Sequence, residues 1–382
     1  MATDDMALGV YHLPQPPVGH WIEELEDYET AGWDSVWLPD QLTAEYPPSI
    51  WDPELADLAA HQETPHAFFS TPAMLSYAAA TTDDIRLCVG VSETLRRHPI
   101  VLAQTAGTIH HLSGGRMLLG MGSGARAMTE PFGIDYHRPV SHLEEALRII
   151  RLAWETEPTE TFDFHGEFWD LEDAIFALPP VEADDAPPYP PIYLGAHGPR
   201  MRSLTGRYAD GWYPSFLSPE LYAEGWETVA EAADDAGRDP EDVSRSLVTA
   251  AMLAGTREEA TELLDSLLVR IVSLFLPPQS FEACGHEHPL GVGQSSFVPT
   301  RMGRQETLEL AAEVPLEVLK DAYLWGTPED VVAAVEDFRD VGVEHLVLAN
   351  LTPLATPEQY GDSYDRLEEV RETVKSQRGG QQ

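Results

Sequence analysis

The chain has 382 residues, 43% of them hydrophobic, which is enough core for one large domain or two ordinary ones and sets disorder aside as the default. Its 65 acidic residues against 23 basic ones give a formal net charge of −42, which excludes the basic footprint that a nucleic-acid backbone requires. No apolar run approaches the length of a membrane span, and the start, MATDDMALGVYHL, has neither the basic region nor the apolar segment of a secretory signal, so a cytoplasmic protein is expected.

The predicted elements begin with strand Ala7–His12, helix Trp21–Ala31 and strand Ser35–Pro39. Thr43–Thr71, rich in proline, histidine and aromatics, is longer than a plain connection and reads as an insertion. Strand Leu87–Val91 leads to helix Pro99–Leu112, and strand Met117–Met121 to helix Ser141–Glu155, where Ser141 and Glu144 have capping-box spacing. Strands Pro191–Ala196 and Gly211–Pro214 precede helices Pro199–Tyr208 and Pro219–Ala236. Strand Val248–Leu253 is followed by a helix over Arg257–Phe275 and a second insertion, Pro277–Glu317. Thr327-Pro328-Glu329-Asp330 starts helix Pro328–Val341, Gly342 ends it, and His345–Asn350 is the last strand. Residues 376–382 read as a disordered tail.

Eight strands alternating with helices imply a parallel sheet covered by helices, and eight is the number that closes a (β/α)8 TIM barrel. The expected architecture is one such domain over residues 1–375, with insertions at 43–71 and 277–317. An open doubly wound sheet is the alternative, but no strand–GxGxxG–helix unit opens the chain. Cys88 and Cys284 lack zinc-ligand spacing and read as small apolar residues; no metal is expected.

Polar groups at the C-terminal ends of barrel strands carry chemistry, and four stretches qualify. Asp40, with Gln41, ends the second strand; its alternative is a helix-capping role. Gly90-Val91-Ser92-Glu93 ends the third, with Arg96 and Arg97 downstream as anion ligands or as solvated loop residues. Gly120-Met121-Gly122-Ser123-Gly124 ends the fourth, where glycines either let backbone amides approach a ligand or simply make a turn. Gly195-Ala196-His197-Gly198-Pro199-Arg200 feeds a helix N-terminus, which is an anion site by geometry or an ordinary loop.

The runs GWDSVWLPD to Asp40, GVSETLRRHP from Gly90, LSGGRMLLGMGSG to Gly124, IYLGAHGPRM from Ile192 and GTPEDVV from Gly326 together resemble the luciferase-like monooxygenase superfamily. The resemblance runs from about Ala7 to about Leu351 and is strongest for the branch using coenzyme F420, a 5-deazaflavin. Within that branch, phthiodiolone ketoreductases are similar at the GRYADGW and EHPLG segments, and methylenetetrahydromethanopterin reductases at PVSHLEEALRIIR and IYLGAHGPRM.

The resemblance implies a bacterial-luciferase-like TIM barrel, usually a homodimer, with the cofactor at the C-terminal face. It implies a non-prolyl cis peptide after the third strand, which falls on Gly90–Val91. It places the cofactor against Asp40, Gly90, Val91, Ser123, Gly124, Gly195, Ala196, His197, Gly198, Pro199 and Arg200. Two positions depart from the branch. Its dehydrogenases carry Asp-His after strand two, where this chain has Asp40-Gln41, and glutamine cannot take a proton. They also carry Glu after the glycine turn, where this chain has Ala125. The acid is therefore sought first at Asp40, then at Glu93, Glu130, His12 or a bound water, with Gln41 kept in the catalytic set.

The expected activity is hydride transfer between F420 and a small-molecule carbonyl or methylene-pterin substrate. The alternatives are an FMN-dependent monooxygenase and a non-catalytic flavin-binding member. Only Lys320 and Lys375 are lysines, and the acids run along the whole chain rather than in a tail. That composition resembles proteins of extreme halophiles, whose self-repelling surfaces are screened by molar salt, and it favours the deazaflavin over FMN.

Overall fold

A computed structural model describes residues 6–183, 186–291 and 297–377. Strands β1 (Ala7–Tyr11), β2 (Ser35–Leu38), β3 (Arg86–Ser92) and β4 (Met117–Met121) pair in parallel in that order. An antiparallel hairpin, β5 (Phe162–His165) and β6 (Asp170–Ala174), precedes β7 (Ile192–Leu194), β8 (Gly211–Trp212), β9 (Ser244–Leu253), β10 (Leu324–Gly326) and β11 (His345–Asn350). β4 pairs with β7, β7 with β8, β8 with β9, β9 with β11 and β11 with β1. Among the described residues, eight parallel strands thus close into a (β/α)8 barrel.

Barrel strands are buried on both faces, which is why they read as continuous apolar runs: every residue of β2 and β4 is buried. Inside the barrel sit Trp37, Cys88, Leu118, Tyr193, Tyr213, Val248 and Val347, with Trp37 stacked on Tyr213 at 4.0 Å. The larger apolar layer lies between the strands and the outer helices, among them Val18–Ala31, Pro99–Leu112, Pro199–Tyr208, Pro219–Asp235 and Pro328–Asp340. Thr327 and Asp330 close both halves of a capping box on the last of these, and Gly342, at φ +87°, ends it.

Several elements differ from expectation. The helix placed at Ser141 starts at Pro139, after Arg138 in the left-handed region, and Ser141 and Glu144 make no capping box. Both instead receive Arg200 Nη2, at 3.0 Å each. The single helix over Arg257–Phe275 is two, Arg257–Leu264 and Leu267–Val272, followed by a 3-10 turn. The break falls at Asp265-Ser266, where Arg270 folds back onto Asp265, and Leu268, Val269 and Ile271 turn inward. The first insertion holds two short 3-10 turns and runs into an unpredicted helix, Thr71–Thr81. The second holds helices Pro278–Ala283 and Arg304–Ala312. Ser376 still belongs to the last helix, Tyr360–Ser376, and the rest of the expected tail beyond Gln377 lies outside the described residues.

β9 shares its edges unequally. β11 runs along one edge from Ser246 to Ala251. On the other, β8 pairs only at Ser244–Arg245, and β10 pairs at Ala251–Leu253. A second apolar cluster, including Leu264, Val269, Phe281, Val318 and Leu319, packs beside that upper edge. Among the described residues no helix is long and apolar enough to cross a membrane.

Candidate functional site

A cavity of about 610 Å³ opens at the C-terminal ends of the barrel strands. That is within the range of small-molecule and cofactor sites. Its wall takes Tyr11 at the end of β1 and His12 after it, Asp40 and Gln41 after β2, Gly90 to Ser92 on β3 and Glu93 after it, and Gly122 to Ala125 after β4. Gly195, His197, Tyr213 and Ser215 continue the barrel side, while Glu45, Tyr46 and Trp51 come from the first insertion and Val272 and Phe275 from the stretch just before the second.

Val91 forms the floor. The Gly90–Val91 peptide is cis, and the β3–β4 register shifts between Val89 and Ser92. A Cβ on Gly120 would stand 2.0 Å from the Val89 carbonyl oxygen, one on Gly122 2.9 Å from Val91 Cγ2, and one on Gly195 3.4 Å from Val91 Cγ1. Gly120, Gly122 and Gly195 are thus accounted for first by close approach to this bulge.

Asp40 and Glu93 are buried and fully engaged. Arg97 grips both Asp40 carboxylate oxygens, and Ser92 Oγ donates to Oδ2 at 2.6 Å. Arg96 donates to the Asp40 carbonyl oxygen at 2.6 Å and pairs with Glu93, which also accepts the Leu95 and Arg96 amides. The two arginines left open between anion binding and solvation bind anions of this chain itself. They tie the end of β2 to the bulge on β3 and take up the lone pairs of the two acids.

The other expected site residues divide. Ser123, Gly124 and His197 join the cavity wall, whereas Glu130 lies outside it and pairs with Arg126 and Arg301. Ala196 is fully buried, its carbonyl accepting Trp212 Nε1 at 2.8 Å. Gly198, Pro199 and Arg200 open a helix beyond the lining, and a Cβ on Gly198 would meet nothing within 4 Å.

Three titratable groups stand out in the wall. Burial, with Arg202 a lesser cause, lowers His197 to about 4, so it is neutral, and its Nε2 lies 3.0 Å from Ser215 Oγ. Burial lowers His12 to about 3. His12 Nε2 lies 3.3 Å from Glu24, itself raised by burial, without the alignment of a hydrogen bond. Glu45, absent from the expected set, accepts from Gln41 Nε2, and burial raises it to about 7. The signal for Glu45 was its spacing, four residues after Gln41, but nothing in a loop sequence tells which way a side chain faces.

His12 Nε2, Gln41 Oε1, His197 Nδ1 and Tyr213 Oη are buried polar atoms without a hydrogen-bond partner in this wall. Unpaired buried groups are costly, and four in one cavity call for a polar ligand. An apolar floor with polar groups around it suits a flat ring with hydrogen-bonding edges. Among the described residues no cluster of His, Cys, Asp and Glu could hold a metal ion.

The family model for luciferase-like monooxygenases matches residues 6–345. The chain is 37% identical over 346 residues to a phthiodiolone/phenolphthiodiolone dimycocerosates ketoreductase of Mycobacterium bovis, covering 89% of each. It is 25% identical over 343 residues to a 5,10-methylenetetrahydromethanopterin reductase of Methanolobus tindarius, covering 90% of this chain and 93% of the relative. Its fold is similar to that of an F420-dependent secondary alcohol dehydrogenase solved with an F420-acetone adduct, at a TM-score of 0.75 and 21% identity over 97% of this chain and 99% of the other.

Proposed function

The chain belongs to the luciferase-like monooxygenase family, and from that premise we propose that it is a coenzyme F420-dependent reductase acting on a carbonyl compound. The observation that carries the reading is the cavity itself: Val91 seated among glycines, under a wall whose buried polar atoms lack partners. Bound there, F420 supplies two electrons as hydride. Val91 and Gly90 would support one face of the ring. His197, neutral, and Tyr213 would meet its polar edge, and Ser123 and Gly124 would border it. Asp40, locked by Arg96 and Arg97, positions the wall. The relatives' names favour ketone reduction over reduction of a methylene-pterin, the substrate of the more distant one. The same reading makes the protein a homodimer of a salt-rich cytoplasm.

Titration of the purified protein with F420 and with FMN in molar KCl tests the cofactor. F420 is expected to bind with the higher affinity; preferential binding of FMN, or of neither, would overturn the reading.

The loop after β7 gives a second check. Gly198 precedes the helix Pro199–Tyr208, whose free amides and dipole favour an anion such as the coenzyme phosphate. Gly198→Asp adds charge and bulk there without a clash. F420 affinity is expected to fall about tenfold or more, equal to about 1.4 kcal/mol, with an unchanged circular dichroism spectrum. Equal affinity in a folded variant would put the phosphate elsewhere.

A further inference from the structure

We propose that Glu45, held by Gln41 in the cavity wall, is the acid that protonates the carbonyl oxygen of the substrate. The proposal rests on the F420-dependent carbonyl-reductase reading above and names its missing proton donor.

Four carboxylates line the cavity: Glu24, Asp40, Glu45 and Glu93. Asp40 and Glu93 already accept from Arg97, Arg96, Ser92 and backbone amides. Glu24 stands between two histidines, His12 at 3.3 Å and His20 at 3.5 Å, and accepts from Tyr360. Glu45 differs from all three. Among the described residues its side chain has no arginine, lysine or histidine paired with it, and its side-chain partner is the Gln41 amide. The titratable groups that face it are Tyr11, from β1, and Tyr46, on its own loop; both hydroxyls stay protonated, their pKa values raised chiefly by burial.

That setting suits an acid. Burial without a cation favours the protonated carboxyl, and Glu45 sits at about 7, where a donor is most effective near neutral pH. The Gln41 N–H then stabilises the carboxylate left behind. Gln41 cannot itself carry a proton, but it can hold a neighbour that does. Its own Oε1 remains buried and unpartnered in the same wall.

In the reduction, the carbonyl carbon gains a hydride, bringing two electrons. The C=O π pair moves onto oxygen, which takes the proton from the Glu45 carboxyl, and an alcohol results. Glu45, left as carboxylate, regains a proton from water at the cavity mouth. The oxidised coenzyme releases its remaining proton to solvent, so the sum is one hydride and one proton to the ketone.

Two readouts test this. In the bare protein, the infrared carbonyl band of a protonated carboxyl should be present at pH 6, disappear with a midpoint near pH 7, and be missing from Glu45→Gln. In the F420-loaded protein, reduced F420 is supplied with acetone, cyclohexanone and a long-chain methyl ketone as probes. Wild-type kcat should fall as pH rises through about 7. Glu45→Gln should bind F420 normally, lose about 100-fold or more in kcat and lose that alkaline limb, and Glu45→Asp should restore part of both. A Glu45→Gln enzyme that keeps its rate and its limb overturns the proposal. So does a limb that vanishes in Glu24→Gln and persists in Glu45→Gln, or an infrared band that Glu45→Gln leaves in place. If wild type binds no F420 or reduces no ketone, the reductase reading itself falls, and the proposal with it.

Discussion

Asp40→Ala is expected to destabilise the fold by about 3–5 kcal/mol, the cost of removing one partner from a buried ion pair. The Asp40 and Arg96 side chains are only 5% and 7% exposed, and the second cation on Asp40, Arg97, is 25% exposed. Removing the carboxylate strands the Arg97 guanidinium and the Ser92 hydroxyl and loosens the link from β2 to the bulge of β3. Asp40→Asn keeps one acceptor oxygen, which can still serve Ser92 and one arm of Arg97, and should lose less. Urea unfolding in molar KCl measures both. A loss below about 1 kcal/mol for Asp40→Ala, a value usual for surface ion pairs, would show that the arginines find water instead. It would also remove Asp40 as the anchor of the site.

Raising KCl from 0.1 M to 2 M is expected to raise the melting temperature by more than about 10 °C, a shift worth several kcal/mol in a chain of this size. The 23 basic residues cannot neutralise 65 acidic ones, and many are already committed: Arg96 and Arg97 to Asp40, Arg200 to Glu144, Arg301 to Glu130, Arg270 to Asp265. The remaining acids repel one another over a screening length of about 10 Å at 0.1 M, shrinking to about 3 Å at 1 M. Scanning calorimetry across the salt series decides the matter. A melting temperature that is higher at low salt would overturn the halophilic reading.

The barrel was legible because its strands are buried on both faces, so runs such as Val36-Trp37-Leu38 and Met117–Met121 stand out without any periodicity. The hairpin of β5 and β6 was not. Only Phe162 and Phe164 of β5 are buried, too short an apolar pattern among acids to mark a strand. The helix Thr71–Thr81, which starts where the first insertion ends, went unassigned, since TPAMLSYAAAT is too evenly apolar to show a face. At the site, strand ends pointed to Asp40, Val91 and Gly195 because position along a barrel strand alone puts them at the mouth. What the arginines after β3 do was hidden, because their partners are far apart in the chain: Asp40 lies 57 residues from Arg97. Glu45 and Glu24 were hidden for a different reason. Neither ends a strand, and only the folded insertion and the helix Val18–Ala31 turn them toward the cavity.

The split edge of β9 separates two kinds of history in one molecule. Below the split the strand is held by β8, and above it by β10, which returns from the excursion of some seventy residues that carries Val272 and Phe275 to the cavity. The excursion leaves the barrel after Leu253 and rejoins beside Ala251–Leu253, and among the described residues its interior adds no strand to the ring between β11 and β8. Insertions, deletions and replacements in that stretch reshape the outer wall while the Val91 seat and the Asp40 clamp stay where other strands put them, though Ala44 and Tyr46 beside Glu45 pack on Leu268 and Ile271 and would feel such changes. Divergence in what such enzymes accept can therefore proceed at one doorway, with the seat behind it held constant.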